Sequence, residues 1–577
     1  MTALIRRIAA KFETKPFPLL TRHFFNRLFQ NDIFPFRDQM KEKVGVLLAL
    51  VAALGWVMEN TFLMKYVFIA DNGESWLEKC QFLSFFMVLL AFAVILEWDV
   101  LFLDKRDYVN LMALPVKTET VILAKSASMF IFVLLYSAAA CSFSFLIVAF
   151  VLPGWISKSL EILALYFVAH LASATAAFIF VFLLVGAGEA VLMILFGPRL
   201  FRTLSLVIRF VLLVGSIYLL MMFLANPIAL RSFYASLGDL KNRGDSRMLF
   251  FPPLWFAGIQ EMIIGRRDPL YSSGAHIGLA VIIVLGVIYF LALLFSYKKH
   301  ALKTLEISAR PVFFRLARRR LSTMFDSIFL KDSVQRAVFH FFGKTLENSP
   351  LHKIRLAGYL AFATGFLLLL FGAQKDALKN LTMTNMHLLA IPLILAFFLL
   401  VGLRSLVNVP LAAEANWVFP LTEAKTPTPY FIGLKKAVFF YAVLPLFGAL
   451  AVVFALVWKL GPALLHVGYG LSFALLLGEL LFWKFRKIPF VCATVPGRAK
   501  LQYLWFFYAA AFLLTVSALS SLEAMLFRNP GSFAVYFAIA AVIICGLELY
   551  QRFFVYEKIR LQYEDKPEPV MITLTET

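Results

Sequence analysis

Twelve apolar runs recur along this chain, at 44–64, 81–101, 126–151, 161–186, 204–225, 276–297, 356–373, 386–404, 436–458, 462–483, 502–527 and 533–551. About 20 apolar residues cross a bilayer as a helix. Lipid offers no partner to a backbone N–H or C=O, so runs of this kind form helices that satisfy their own hydrogen bonds. The chain is therefore expected to be an all-α polytopic membrane protein, with about 12 transmembrane helices in two six-helix halves. Its residues are 61% hydrophobic and 15% charged, whereas a soluble domain is roughly half apolar and a quarter charged.

Charge sets the orientation. With twelve spans both termini share one side, and 13 of the 55 Lys and Arg fall in loops on the other, leaving 42 on or near the terminal side. The bias recurs loop after loop, which predicts N-in, C-in. The net charge of +21 then reflects loops facing anionic lipid, so membrane lipid is an expected partner and nucleic acid is not. Residues 1–43 carry nine Lys or Arg and no apolar core before Val44, so no cleavable signal peptide is expected. The location follows as a multi-pass cell-membrane protein, in the inner membrane if the source is bacterial. Cys80, Cys141, Cys492 and Cys545 are far apart and suggest neither a disulfide framework nor a metal site.

The runs divide into a cytosolic amphipathic segment (1–43), a first six-span half (44–297), a basic linker (298–355), a second six-span half (356–551) and a cytosolic tail (552–577). Both halves place a polar, proline-bearing inner loop between their second and third spans: Leu114-Pro115-Val116-Lys117-Thr118-Glu119 in one, Phe419-Pro420-Leu421-Thr422-Glu423 in the other. Two parallel halves imply a pseudo-two-fold axis along the membrane normal. The linker, with 13 Lys or Arg and apolar residues at near-helical spacing, reads as an interfacial helix. Phe250 to Ile264 is too short to span and suggests a re-entrant or interfacial helix with Trp255 at headgroup depth. The inner loop Gly197–Arg202 suggests a second surface helix.

Catalytic motifs are missing. Gly343-Lys344-Thr345 lacks the earlier glycine of a phosphate-binding loop, since Val338 stands there. There is no His-Glu-x-x-His, no Gly-x-Ser-x-Gly and no paired acidic motif inside a run. No enzymatic activity is expected of the chain, and any ATP hydrolysis requires another polypeptide. His170 and His466 stand alone near span ends. Charges inside the runs carry more weight, because each costs about 2.5–3.5 kcal/mol at a helix centre. Glu189, Arg209, Glu479 and Glu523 are the candidate intramembrane polar sites. For a proton-coupled carrier, Glu479 and Glu523 are the best placed.

The first inner loop carries a family resemblance. Trp98-Asp99 at a span end, then Asp104-Lys-Arg-Asp107, Leu114-Pro115-Val116-Lys117-Thr118, Ile122 and Ala124-Lys125 resemble the inner loop of type-2 ABC transporter permeases. The likeness covers residues 1–297 in detail, while the second half is similar by topology only. It implies a loop that docks on a cytosolic ABC ATPase subunit; the chain departs from the family's usual single six-span unit, and its two halves suggest two such units fused in tandem. By this resemblance the docking residues are Asp104, Arg106, Asp107, Leu114, Pro115 and Lys117 in the first half. In the second they are Glu414, Trp417, Pro420 and Glu423. The chain would hold no cofactor, its partner binding ATP, and it would export an unidentified substrate by alternating access as the two halves rock around a central path. Whether it also forms a homodimer stays open. Two other classes remain: an ion-coupled secondary transporter and a membrane-embedded lipid-modifying enzyme.

Overall fold

The computed structural model describes residues 16–28, 40–66, 75–96, 116–145, 159–196, 198–225, 227–303, 329–330, 332–373, 381–411, 416–483, 485–491 and 501–562. Every regular element among them is helical, and eleven helices are long and apolar enough to cross a membrane. The architecture is that of a multi-pass α-helical membrane protein. The run expected as the first crossing lies in the helix Met40–Tyr66, whose described apolar stretch, Val44–Met58, is shorter than a span. The chain folds as two compact units, Met1–Ser308 and Ala309–Thr577, and the boundary falls in the basic linker.

In the first unit, α1 (Pro16–Leu28) is short and amphipathic. It is followed by α2 (Met40–Tyr66), α3 (Trp76–Leu96), α4 (Thr118–Phe145), α5 (Leu160–Leu195) and α6 (Pro198–Ala225). Residues 198–202 are not a separate surface helix, and Gly197 lies outside the described residues. Pro198, whose fixed φ suits a first helical position, opens α6, and the helix runs on unbroken. Next come α7 (Pro227–Asn242), a 3-10 turn (Ser246–Phe250), α8 (Pro252–Ile263) and α9 (Pro269–Lys303). Asp245 caps the 3-10 turn, and its hydrogen bonds from Arg247 hold its carboxyl below the usual range.

The twelve-residue α8 packs against α3, α5 and α9 as a helical hairpin with α9. Gly258 permits the approach, because a Cβ there would strike the Tyr271 carbonyl. The Trp255 ring meets Phe180 at 5.7 Å between centroids, and Phe178 on the same helix meets Phe86 near the middle of α3 at 6.5 Å. Trp255 therefore stands level with the middle of α3, deeper than the headgroup position expected from sequence. Close glycine packing, rather than aromatic anchoring at the surface, sets its depth.

The second unit opens on α10 (Ser333–Asn348), capped by Asp332 through its carboxylate. Its apolar face, with Val338, Phe339 and Phe342, is buried, so this end of the linker packs on the unit's own core. Linker residues 304–328 and 331 lie outside the described residues. Then follow α11 (Pro350–Ala373), α12 (Met386–Leu406), a single turn α13 (Val418–Leu421), α14 (Thr428–Val438) and α15 (Leu444–Trp458). A π turn at Phe439–Val443 joins α14 to α15 into one crossing, Thr428–Trp458. Pro445 accounts for it, since proline offers no N–H and its ring crowds the carbonyl four residues back. The unit closes with α16 (Leu460–Leu481), α17 (Leu501–Arg528) and α18 (Ser532–Tyr550). After α18 a π turn and a 3-10 turn carry the chain to Lys558.

Candidate functional site

The loop between α12 and α14 is the second docking segment anticipated from sequence, and its described part is firmly braced. Val407 accepts a hydrogen bond from the Phe490 N–H at 2.9 Å, and the Leu411 N–H donates to the Phe490 carbonyl at 2.9 Å. Asn416 Nδ2 donates to the Val491 carbonyl. His352, buried, bonds the Val409 carbonyl through Nε2 at 3.1 Å and Ser349 Oγ through Nδ1 at 2.7 Å. Its ring stands edge-on to Phe490 at 4.9 Å. Phe490 has φ +61°, a left-handed conformation that costs a non-glycine residue energy and persists only where its surroundings impose it.

On this brace sits α13. Phe419 faces Phe341 at 6.1 Å between ring centroids. Its neighbours point away from the unit: Trp417 is 67% exposed and Leu421 76%, and Pro420 and Glu423 are exposed too. Thr422 bonds back to the Val418 carbonyl at 3.0 Å, and the Ala424 N–H donates to Tyr430 Oη at 3.1 Å. The result is a rigid knuckle displaying two large apolar side chains. Glu414 lies outside the described residues.

Beyond the knuckle, α14 is gripped by two lysines. Lys435 Nζ reaches Glu479 at 2.6 Å, Glu548 at 2.5 Å and Gln551 Oε1 at 3.0 Å. Gln551 donates to the Glu479 carbonyl, Tyr556 donates to Gln551, and Phe431 stacks on Tyr556 at 4.8 Å. Lys436 bonds the Phe329 carbonyl and Gln335 Oε1. The segment leaving the knuckle is thereby tied to the ends of α16 and α18 and to α10.

In the first unit, Asp104, Arg106, Asp107, Leu114 and Pro115 lie outside the described residues. Lys117 is exposed, and its carbonyl accepts the Thr120 and Val121 N–H groups as α4 begins. Against this first stretch of α4 lies α1, with Leu20 and Phe24 buried on Val121 and Ala124 and Lys125 Nζ 5.4 Å from the Phe24 ring centroid.

The four intramembrane polar candidates all have charged or ionisable partners. Glu189 meets Arg209 at 3.6 Å, Glu479 belongs to the Lys435 cluster, and Glu523 Oε1 lies 2.6 Å from His466 Nδ1. His466 thus does not stand alone, nor does His170, whose Nε2 is 2.7 Å from Ser144 Oγ. Sequence reasoning missed Lys435 as a hub, and it missed a buried triad at α8 in which Lys79 and Arg266 flank Glu261 at 2.5 and 2.9 Å. Lys79 and Glu261 are 182 residues apart, so no local spacing announces them.

The chain matches no protein-family model, no curated protein and no solved structure.

Proposed function

We propose that this chain is the membrane-spanning permease subunit of an ATP-driven ABC exporter, moving its substrate by alternating access powered by a separate cytosolic ATPase. The observation that carries this reading is the knuckle Trp417–Leu421. Exposed apolar side chains on a loop this well braced form a surface made for a protein partner, and α14 leads from it directly into a crossing through the Lys435 and Lys436 contacts. Force applied at the knuckle would reach α16 and α18 without being lost in a slack loop. Packing of α1 on the start of α4 supports the same role for the first loop.

Affinity capture of the tagged full chain from its native membrane tests this. A cytosolic ATPase should be recovered with the wild type and lost with Trp417→Ala/Leu421→Ala, while membrane insertion persists. Recovery of the same ATPase with both proteins, or of none with either, defeats the docking role.

A second reading, an ion-coupled secondary transporter, is favoured by one observation, the enclosed His466–Glu523 pair. Substrate movement that survives without any ATPase and collapses with the proton gradient would select it.

A further inference from the structure

The surroundings of His466 and Glu523 are apolar. Phe454 stands edge-on to the imidazole at 4.3 Å between centroids and Trp458 at 5.1 Å, with Phe527 behind Trp458 at 6.1 Å. Neither side chain of the pair has any solvent exposure. Yet three polar atoms here have no hydrogen-bond partner among the described residues: His466 Nε2, Glu523 Oε2 and, one turn before Glu523 on α17, Ser520 Oγ. Buried polar atoms without partners are rare in a core built for stability alone.

Charge counting explains what the arrangement holds. A lone carboxylate or imidazolium is too costly in so enclosed a place, so the pair must be neutral overall. Neutrality requires one shared proton, resting either on the carboxyl or on Nδ1 as half of an ion pair. Among the described residues, no neighbouring group substitutes for it. Tyr469, donating to the Leu519 carbonyl, and Tyr536, bonded to Ser472, are phenols and neutral near pH 7. His387 lies in the first turn of α12, and Lys459 and Arg528 are exposed at helix ends.

Place in the fold gives the route. His466 lies in the second turn of α16, Glu523 near the end of α17, and Trp458 closes α15 with its Nε1 donating to the Leu381 carbonyl at 2.6 Å. We propose that His466 and Glu523 form an occluded proton-binding site in the second unit, emptied and refilled through the end where Trp458 and Arg528 lie. When these helix ends part and water enters, imidazole and carboxyl return to their ordinary ranges. Near neutral pH the carboxyl is then ionised and the imidazole mostly neutral, so the shared proton passes to water. Closure takes one back. Opening is favoured as pH rises and closure as it falls, because the closed form holds the extra proton. The site does not depend on the exporter reading, since an ATP-driven or an ion-driven machine could both carry it.

The test uses the full chain in lipid nanodiscs, titrated through neutral pH. Infrared difference spectra read the carboxylic-acid and imidazolium bands, and an aqueous quencher reads access to Trp458, isolated by subtracting Trp458→Phe. Rising pH should remove the shared-proton bands and at least double the quenching of Trp458. Glu523→Gln and His466→Gln should each abolish both responses. If a variant fails to insert, the wild-type titration still decides. Wild-type signals that stay flat through neutral pH, or a titration unchanged in Glu523→Gln, overturn the proposal and leave a fixed structural bridge.

Discussion

Lys79 Nζ lies 2.5 Å from Glu261 Oε1 with both side chains closed off from solvent, and this contact fastens the end of α8 to the first turn of α3. Glu261 keeps Arg266 at 2.9 Å when Lys79 is lost, so the cost falls short of the about 3–5 kcal/mol of a buried charge left wholly unpaired. Lys79→Met should still lower the thermal midpoint of the detergent-solubilised protein, because half of the carboxylate's pairing is gone. Lys79→Met/Glu261→Gln should recover much of the loss, because no carboxylate then remains buried beside a missing cation.

Gly258 makes a second weak point in the same hairpin. A methyl group there meets the Tyr271 carbonyl, which belongs to backbone and cannot swing aside. Gly258→Ala should destabilise the first unit by about 1–3 kcal/mol, read as a fall in thermal midpoint. Gly188→Ala, where a Cβ meets nothing within 4 Å, should be silent or slightly stabilising.

Lys435 separates two carboxylates that would otherwise repel. Lys435→Met should release the segment after α18, so that backbone amides from Gln551 to Leu561 exchange with deuterium faster than in the wild type. Adding Glu548→Gln should slow that exchange again. If exchange is unaltered in Lys435→Met, the hub does not hold the C-terminal segment.

The knuckle should behave in the opposite way from the core. Trp417 and Leu421 stand well clear of their unit, so Trp417→Ala should change stability by no more than about 0.5 kcal/mol, measured by thermal unfolding of the purified chain. A large fall would mean that the ring serves the fold and not a partner.

The apolar runs made the helical, multi-pass architecture legible, because length and hydropathy are local properties. Helix ends were less so. α11 and α9 begin at Pro350 and Pro269, ahead of the runs at 356 and 276, since a proline-led polar turn extends a helix without adding to its apolar stretch. Glu189, Arg209, Glu479 and Glu523 stood out individually as charges in apolar surroundings. Their partners did not, because His466 is 57 residues from Glu523 and Lys435 is 113 from Glu548. The brace under Trp417 was invisible for a related reason: it depends on backbone groups of Val407, Leu411 and Phe490, which no side-chain pattern records.

The span α5 works as a ruler for the first unit. Its 36 residues make a rod of about 54 Å, set against a hydrocarbon layer of about 30 Å. Phe178, which meets the middle of α3, stands about halfway along that rod, and Glu189 lies about 16 Å beyond it. The buried Glu189–Arg209 pair therefore ties α5 to α6 about half a hydrocarbon thickness from that midpoint. It works as a clasp that keeps the last turns of α5 against α6.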